Sequence, residues 1–313
     1  MSDIQVSVCI PVYRGEKTIT SLVAALEQAL QKYTFEIILV NDASPDSSGL
    51  VCEELSKKYR FVRYAWLRRN FGEHNAVMCA LNMSMGDCAV IMDDDFQNPP
   101  EEVPKLVDAL YNEDHDVVYT RYEKKKHNFF RNLGSRFNDR VATWLLNKPP
   151  DLYLSSFKAL KKSLVAEIIK YKGPFPYVDG LILRVTDHIG VIDSAHSPRI
   201  IGKSNYTIKK LFSLYLNMFI NFSIKPLRMF TFSGVFLACT GFVATVILAV
   251  LRFCFPTSGW SLETPMGWTS LICALFFFSG IQILFLGLLG EYLGKLYLDV
   301  NGCPQWTVYK KSE

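Results

Sequence analysis

Two long uncharged stretches near the C-terminus, Met229–Leu251 and Met266–Leu289, constrain the fold of this chain more than any other feature. Each is longer than 20 residues and contains no Asp, Glu, Lys, Arg or His. At about 1.5 Å of rise per residue, a helix of this length crosses a hydrocarbon core of about 30 Å. We therefore expect a hairpin of two transmembrane helices.

The distribution of positive charge predicts how this hairpin is oriented. The connection Arg252–Pro265 contains one Arg, one Glu and no Lys. The sequence on the other side of the stretches carries seven basic residues: Lys209, Lys210, Lys225, Arg228, Lys295, Lys310 and Lys311. Because cytoplasmic flanks are enriched in Lys and Arg, we expect both termini in the cytoplasm and the short connection between the two spans outside.

Charge and cysteine usage exclude some classes of function. The net charge of +4 is too small to indicate a nucleic-acid partner, and no basic run is interleaved with aromatic residues. The eight cysteines form no Cys-x-x-Cys pair, which favours reduced structural thiols. The first 30 residues lack the pattern of a signal peptide, so we expect the N-terminal domain to stay in the cytosol.

Strand-like and helix-like segments alternate between residues 5 and 120. The predicted strands are Val6–Pro11, Phe35–Val40, Val62–Leu67, Cys88–Met92 and Asp116–Tyr119. The predicted helices are Thr18–Lys32, Ser47–Tyr59, Glu73–Met85 and Pro100–Asn112. This alternation predicts an α/β fold with a doubly wound, mostly parallel sheet that binds ligands at the carboxyl ends of its strands. The absence of Gly-x-Gly-x-x-Gly disfavours a nicotinamide or flavin cofactor.

The later segments suggest how the chain is divided. We expect a catalytic domain over 1–204, an amphipathic interface helix over 205–226, the two spans within 227–292, and a cytoplasmic tail over 293–313. Residues 205–223 have a basic start and a broad apolar face, which also fits a core helix of the soluble domain. Both interpretations of that segment remain open.

Three acidic residues follow predicted strands: Asp42, Asp93 and Asp95. Strand alternation predicts that positions 93 and 95 face one side while Asp94 faces away. Two neighbouring carboxylates are costly unless a cation neutralises them, and hard oxygen ligands favour Mg²⁺ or Mn²⁺. A solvated acidic turn is the alternative.

Five motifs in order give the chain a resemblance to a known family. They are Pro11-Val-Tyr13, Asn41-Asp42-Ala-Ser-Pro-Asp46, Arg69-Asn-Phe-Gly-Glu-His74, Asp93-Asp-Asp95-Phe-Gln97 and, after the C-terminal hairpin, Gly290-Glu-Tyr292. Together they resemble the family 2 glycosyltransferases of GT-A fold, and within them the polyisoprenyl-phosphate group that contains dolichol-phosphate mannose synthase. The resemblance covers nearly the whole chain. It implies transfer of one sugar from a nucleotide diphosphate, UDP above all, to the phosphate of a membrane lipid.

The resemblance also implies roles for individual residues. The donor would be bound by Pro11, Tyr13, Glu16, Asp42, Asp93 and Gln97. Asp93 and Asp95 would hold the metal and, with Arg131, act in catalysis. The acceptor phosphate would contact Arg121, Arg131, Ser135, Arg199 and Lys203. Guanidinium groups suit this task because they bind phosphate oxygens bidentately and stay charged.

Two departures from the family pattern fall at the expected site. Relatives carry an Asp where this chain has Asp151 offset by about one residue, before Ser155-Ser156-Phe157-Lys158. Many relatives have Asn-Glu where this chain has Arg14-Gly15. The first departure puts an acceptor role for Asp151 in doubt, and the altered segment is expected to line the sugar pocket. The second affects the nucleotide contacts.

The leading hypothesis is an inverting enzyme that loads undecaprenyl phosphate at the cytoplasmic leaflet for modification of cell-envelope glycans such as lipopolysaccharide or O-antigen. A processive polysaccharide synthase of the same fold is an alternative, although the chain lacks that group's Gln-x-x-Arg-Trp segment. A non-catalytic membrane scaffold is the second alternative. Pairing of membrane hairpins would give a homo-oligomer.

Overall fold

The computed structural model describes residues 4–122, 148–150, 152–194 and 266–312, and single helical residues at 143, 232, 236 and 243. Two compact units divide the chain, one over Met1–Ser213 with Leu298–Glu313 and the other over Leu214–Tyr297. Within the first unit, the described residues form a single sheet with helices.

The sheet contains eight strands in the order β7-β5-β6-β4-β1-β2-β3-β8. Their bounds are β1 Val6–Val12, β2 Phe35–Asn41, β3 Val62–Leu67, β4 Cys88–Ile91, β5 Val117–Tyr122, β6 Lys158–Lys161, β7 Ile189–Ser194 and β8 Val308–Lys311. Strands β4, β1, β2 and β3 run parallel to one another, as do β5 and β7. Strands β6 and β8 run antiparallel to their neighbours, so the sheet is mixed.

Six helices of the described residues belong to the first unit. They are α1 Ile19–Ala29, α2 Ser48–Lys58, α3 Glu73–Met83, α4 Val103–Asn112, α5 Lys162–Ile168 and α6 Val178–Val185, and a 3-10 turn at Pro100–Glu102 precedes α4. The helical spacing of apolar residues in α1 explains its packing, because Ile19, Leu22, Val23 and Leu26 are all buried. The strands and helices expected between residues 5 and 120 are present.

The core lies on both faces of the central strands. Strand β1 has the sequence Val-Ser-Val-Cys-Ile-Pro-Val, and all but one of its residues are buried. A near-continuous apolar run is typical of a parallel strand covered by helices on both sides. Cys9 and Cys88 are buried thiols of this core, and burial raises the pKa of the Cys88 thiol to about 12.

The second unit includes most of a long helix, α7, over Met266–Val300. Its segment Ile281–Val300 has a mean hydropathy of 1.3, and by length and composition it could cross a membrane. The expected span Met266–Leu289 falls within this helix. The expected span Met229–Leu251 and the interface helix over 205–226 lie outside the described residues, apart from isolated helical positions.

The segment after α7 returns to the eight-stranded sheet. A tail was expected over 293–313, but α7 continues to Val300 and β8 then pairs with β3. Trp66 of β3 and Tyr309 of β8 pack edge to face with ring centroids 5.8 Å apart. The Arg68 amide donates to the Thr307 carbonyl at 2.9 Å, and the Tyr64 amide donates to Ser312 Oγ at 3.0 Å.

Candidate active site

The carboxyl ends of β1, β2 and β4 meet at one edge of the sheet because these strands are parallel neighbours. Tyr13 follows β1, Asp42 follows β2, and the acidic triplet Asp93–Asp95 follows β4. The topology thus brings together the chain positions that the sequence motifs single out.

The Asp93 carboxylate is held by the segment that leads into strand β6. Its Oδ2 accepts a hydrogen bond from Ser156 Oγ at 2.6 Å and a longer one from Asn98 Nδ2 at 3.4 Å. Asp95 Oδ1 accepts from the Gln97 amide at 3.0 Å. Gln97, expected at the donor site, thereby contacts the triplet through its main chain.

Asp94 does not face away from the site, contrary to the expectation from strand alternation. Its Oδ2 accepts a hydrogen bond from the Tyr13 amide at 3.1 Å, and a Cβ added at Gly15 would lie 2.5 Å from the same oxygen. The alternation rule fails because β4 ends at Ile91, so the triplet follows the strand as a turn. A side chain at position 15 would therefore displace the Asp94 carboxylate that accepts from the Tyr13 amide.

Burial and mutual repulsion alter the acidity of the triplet. Burial, with the nearby Glu73 and Asp95 carboxylates, raises the pKa of Asp93 to about 6. Burial, with Asp93 and Asp95, raises the pKa of Asp94 to about 7. Concentrated negative charge of this kind is stabilised by a bound cation. Hard carboxylate oxygens fit Mg²⁺ or Mn²⁺. The described residues contain no group of three or more His, Cys, Asp or Glu side chains that could hold a metal ion.

The Asp42 carboxylate holds the loop that begins helix α3. One oxygen accepts from the Phe71 amide at 2.7 Å and the other from the Gly72 amide at 2.9 Å. Burial raises the pKa of Asp42, and the two amide hydrogen bonds oppose that shift. Gly72 has a φ of +97°, a backbone conformation that favours glycine.

The loop after β1 is tied to the loop after β2. The Arg14 amide donates to Ser44 Oγ at 2.7 Å, and the Gly15 amide donates to Ser48 Oγ at 2.9 Å. Glu16 accepts from the Ser47 amide at 3.0 Å. The expected donor residues Pro11, Tyr13, Glu16 and Asp42 therefore lie on connected segments, and the Tyr13 side chain is 41% exposed.

A second group of charged residues, which sequence reasoning missed, lies beside the triplet. Lys158 of β6 is 3% exposed and pairs with Asp179 of α6, which also accepts from Tyr119 Oη at 2.9 Å. The charges of Lys158, Asp179 and Asp95 act on the Glu73 carboxylate. Desolvation, with the Asp179 and Asp95 carboxylates, raises the pKa of Glu73, and the Lys158 charge opposes that shift. No local pattern singles out Lys158 in the sequence, because β6 reads Lys-Ala-Leu-Lys with a lysine at each end.

The residues expected at the acceptor phosphate are mostly outside the described part of the chain. These are Arg131, Ser135, Arg199 and Lys203. Asp151, whose acceptor role the sequence leaves in doubt, also lies outside the described residues. Arg121 lies near the carboxyl end of β5, where its Nε donates to Asp193 Oδ1 of β7 at 2.8 Å. The pair is exposed to solvent at the edge of the sheet.

The family model for glycosyl transferase family 2 matches residues 7–168, a range that runs from β1 through α5 and contains the acidic triplet. The chain belongs to glycosyl transferase family 2. The expected family is confirmed, and the protein is a glycosyltransferase.

Curated relatives of this family 2 chain match it over nearly its whole length. A protein from Proteus mirabilis, named undecaprenyl-phosphate 4-deoxy-4-formamido-L-arabinose transferase, is 32% identical over 98% of this chain and 93% of its own. A protein of the same name from Photorhabdus laumondii is 32% identical over 98% of this chain and 94% of its own. These relatives support the expected polyisoprenyl-phosphate group within the family.

Solved structures support the GT-A fold of this glycosyltransferase. Glucosyl-3-phosphoglycerate synthase from Mycobacterium tuberculosis, crystallised with Mn²⁺, UDP and glucosyl-3-phosphoglycerate, superposes with a TM-score of 0.52. It is 18% identical and covers 68% of this chain and 76% of its own. At that identity the likeness concerns the fold alone.

Proposed function

We propose that this glycosyltransferase transfers a single sugar from a nucleotide-diphosphate sugar to undecaprenyl phosphate at the cytoplasmic leaflet. The product is a polyprenyl-monophosphate sugar for modification of cell-envelope glycans. The observation that carries the proposal is the convergence of the Tyr13 loop, Asp42 and Asp93–Asp95 at one sheet edge. The names of the near-full-length relatives support the acceptor.

The donor nucleotide, a uridine diphosphate, lies against the loops after β1 and β2 in this proposal. Pro11, Tyr13 and Glu16 line the base and ribose, and Gln97 lies near the diphosphate. Asp42 acts on the donor by fixing the Phe71–Gly72 main chain, because both of its oxygens accept amide hydrogens there. Uridine is the base proposed here, and UDP is also the nucleotide in crystals of the synthase of similar fold.

Asp93 and Asp95 are the proposed ligands of Mg²⁺ or Mn²⁺. When bound, the ion neutralises charge that develops on the departing nucleotide diphosphate. Two carboxylates leave ligand positions for phosphate oxygens and water, which is how Mg²⁺ is commonly held at nucleotide sites. The Mn²⁺ bound in crystals of the same synthase supports dependence on a divalent metal in general, and the two ligands are part of the proposal.

The acceptor phosphate serves as the nucleophile. Its second pKa is about 6, so a phosphate oxygen is already anionic at neutral pH and needs little help from a protein base. That oxygen attacks the anomeric carbon as the bond to the nucleotide diphosphate breaks, which inverts the configuration. Arg121, Arg131, Ser135, Arg199 and Lys203 are the proposed contacts that orient the phosphate, and positioning supplies much of the acceleration.

The membrane arrangement is part of the proposal. The catalytic domain over 1–204 faces the cytoplasm, 205–226 lies in the interface, and spans at 229–251 and 266–289 form the hairpin. The segment Ile281–Val300 of α7, which overlaps the second proposed span at residues 281–289, supports one membrane crossing.

The test is a transfer reaction with purified full-length protein, undecaprenyl phosphate, Mn²⁺ and a panel of UDP-sugars. The panel includes a 4-formamido pentose, glucose and an N-acetylhexosamine. Mass spectrometry should detect a lipid that gains one sugar, together with released UDP. A polymer would instead indicate a processive synthase. No product with any donor would contradict the proposal and favour a scaffold.

A further inference from the structure

We propose that Ser156 is a positioning residue of the transfer reaction, which directs one oxygen of Asp93 toward the metal and the donor diphosphate. This inference rests on the proposed function, because it assigns a task to the same acidic triplet. Ser156 does not belong to the motifs that the sequence analysis places at the metal.

The hydrogen bonds of Asp93 are concentrated on one oxygen. Ser156 Oγ donates to Oδ2 at 2.6 Å, and the more distant Asn98 Nδ2 reaches the same atom at 3.4 Å. Within the described residues, Asp93 Oδ1 accepts no hydrogen bond. A carboxylate fixed through one oxygen presents the other as a ligand, and such outer partners commonly set the orientation of metal ligands.

Strand β6 holds Ser156 in place. Ile91 of β4 pairs with Lys158 of β6, so the residues that follow Ile91 lie alongside those that precede Lys158. Lys158 is buried and paired with Asp179 of α6, which fixes the start of the strand. The Ser156 hydroxyl is therefore presented to Asp93 by an anchored element.

The neighbouring Ser155 offers a matched control. Its hydroxyl accepts from Thr120 Oγ1 at 2.9 Å and from the Phe157 amide at 3.1 Å, and it has no hydrogen bond to Asp93. Substitution of Ser155 perturbs the same segment without removing the hydrogen bond between Ser156 and Asp93.

The experiment measures Mn²⁺ binding to full-length protein in the presence of UDP, by the electron paramagnetic resonance signal of free Mn²⁺. The variants are Ser156→Ala, Ser156→Thr and Ser155→Ala, and each is also followed by thermal unfolding. We expect Ser156→Ala to weaken Mn²⁺ binding about tenfold, since loss of a partner of a metal ligand typically costs about 10- to 100-fold in affinity. Ser156→Thr keeps the hydroxyl and should bind within about twofold of the wild type.

Donor kinetics provide a second measurement. Ser156→Ala should raise the KM for the donor and lower kcat, whereas a loss of stability alone would lower only the amount of active enzyme. Equal Mn²⁺ binding by Ser156→Ala and the wild type would overturn the inference, as would equal weakening in Ser155→Ala. Mn²⁺ binding by Ser156→Thr that is as weak as that of Ser156→Ala would also contradict the inference.

The outcomes separate this inference from the proposed function. Weaker Mn²⁺ binding in Ser156→Ala, without sugar transfer to undecaprenyl phosphate by the wild type, would support the role of Ser156 toward the metal and contradict the proposed function. A wild-type protein that transfers sugar but shows no difference from Ser156→Ala in Mn²⁺ binding would contradict only the inference. A wild-type protein that binds no Mn²⁺ would contradict both.

Discussion

At the scale of single residues, the three consecutive aspartates differ in the partners of their carboxylates. Asp93 is held by Ser156, Asp94 by the Tyr13 amide, and Asp95 by the Gln97 amide. Asp94 thus connects the triplet to the donor loop, while Asp93 and Asp95 are the proposed metal ligands. The three carboxylates therefore have three different environments.

Asp95→Asn should reduce turnover at least about a hundredfold, because an amide neutralises one of the charges that bind the divalent cation. The measurement is UDP release with undecaprenyl phosphate present. Asp108→Asn is the control, since Asp108 lies on α4 and pairs at the surface with Lys32. Turnover near the wild-type rate in Asp95→Asn would exclude this residue as a metal ligand.

Gly15→Ala should destabilise the fold by about 1–3 kcal/mol, because the new Cβ would lie 2.5 Å from Asp94 Oδ2. Chemical denaturation measures the loss. In the double variant, Asp94→Ala removes the clashing oxygen and should recover part of the stability. Additive losses in the double variant would mean that the two side chains do not meet.

His74 should make the protein sensitive to acid. Burial lowers the pKa of His74 to about 4 from an ordinary value of 6.5. Between these two pH values the unfolded chain binds more protons than the folded one, so His74 makes stability fall as the pH is lowered through this window.

The check compares unfolding temperatures between about pH 4 and the ordinary histidine pKa of 6.5. His74→Phe keeps a ring against Tyr177, whose centroid lies 5.0 Å away, and should show a shallower decline than the wild type. The exposed His188, replaced by Phe, serves as the control. An unchanged slope in His74→Phe would contradict the prediction.

At the scale of elements, strand β8 covers the β3 edge of the sheet. It contributes ladder hydrogen bonds and an aromatic contact between Tyr309 and Trp66. Trp66 in turn lies against α2, since a Cβ added at Gly49 would be 2.8 Å from its ring. Strand β8 therefore supports helix α2, which follows the loop after β2, through its contact with Trp66.

A chain that ends at Trp306 should unfold about 5 °C or more below the full-length protein, because β3 loses its partner strand and Trp66 its cover. It should also bind UDP more weakly. Differential scanning fluorimetry and calorimetric titration are the measurements. Lys310→Ala is the control, since it removes only a pair with Glu53 in which the lysine is half exposed. Equal stability of the truncated chain would mean that β8 is dispensable.

Much of this architecture was predictable from local pattern. The apolar runs of β1, β2 and β4 are buried on both faces, and their carboxyl ends follow from parallel pairing. The orientation of Asp94 was not predictable, because it depends on where the strand ends. Strand β8 was not predictable either. It has no clear apolar face, since three of its residues are Tyr309, Lys310 and Lys311, and it pairs with a strand distant in sequence.

The residues of the candidate site likewise divide into those that the sequence pattern identifies and those that it does not. Asp42, Asp93 and Asp95 could be selected because each follows an apolar strand. Lys158 and Ser156 could not, since their importance comes from β6 running antiparallel beside β4. That pairing is a tertiary contact and has no period in the sequence.

At the scale of the whole molecule, the proposed acceptor is a lipid and the proposed donor is soluble. A substitution should therefore be able to weaken acceptor binding without weakening donor binding. Arg131→Ala should leave UDP affinity unchanged and raise the undecaprenyl phosphate concentration required for half-maximal rate about tenfold, as expected for loss of a charged hydrogen bond to phosphate. Titrations of each substrate give the two values. Loss of UDP binding would mean that the donor and acceptor contacts have been divided wrongly.

The pairing of β8 with β3 also affects how the protein is made. Tyr64 and Ser312, which meet across these strands, are separated by 248 positions in the chain. The ribosome therefore delivers the final strand only after the apolar helix that precedes it has been synthesised. Until then each nascent enzyme exposes an unpaired strand edge, and a prematurely terminated product would keep that edge open to aggregation or proteolysis.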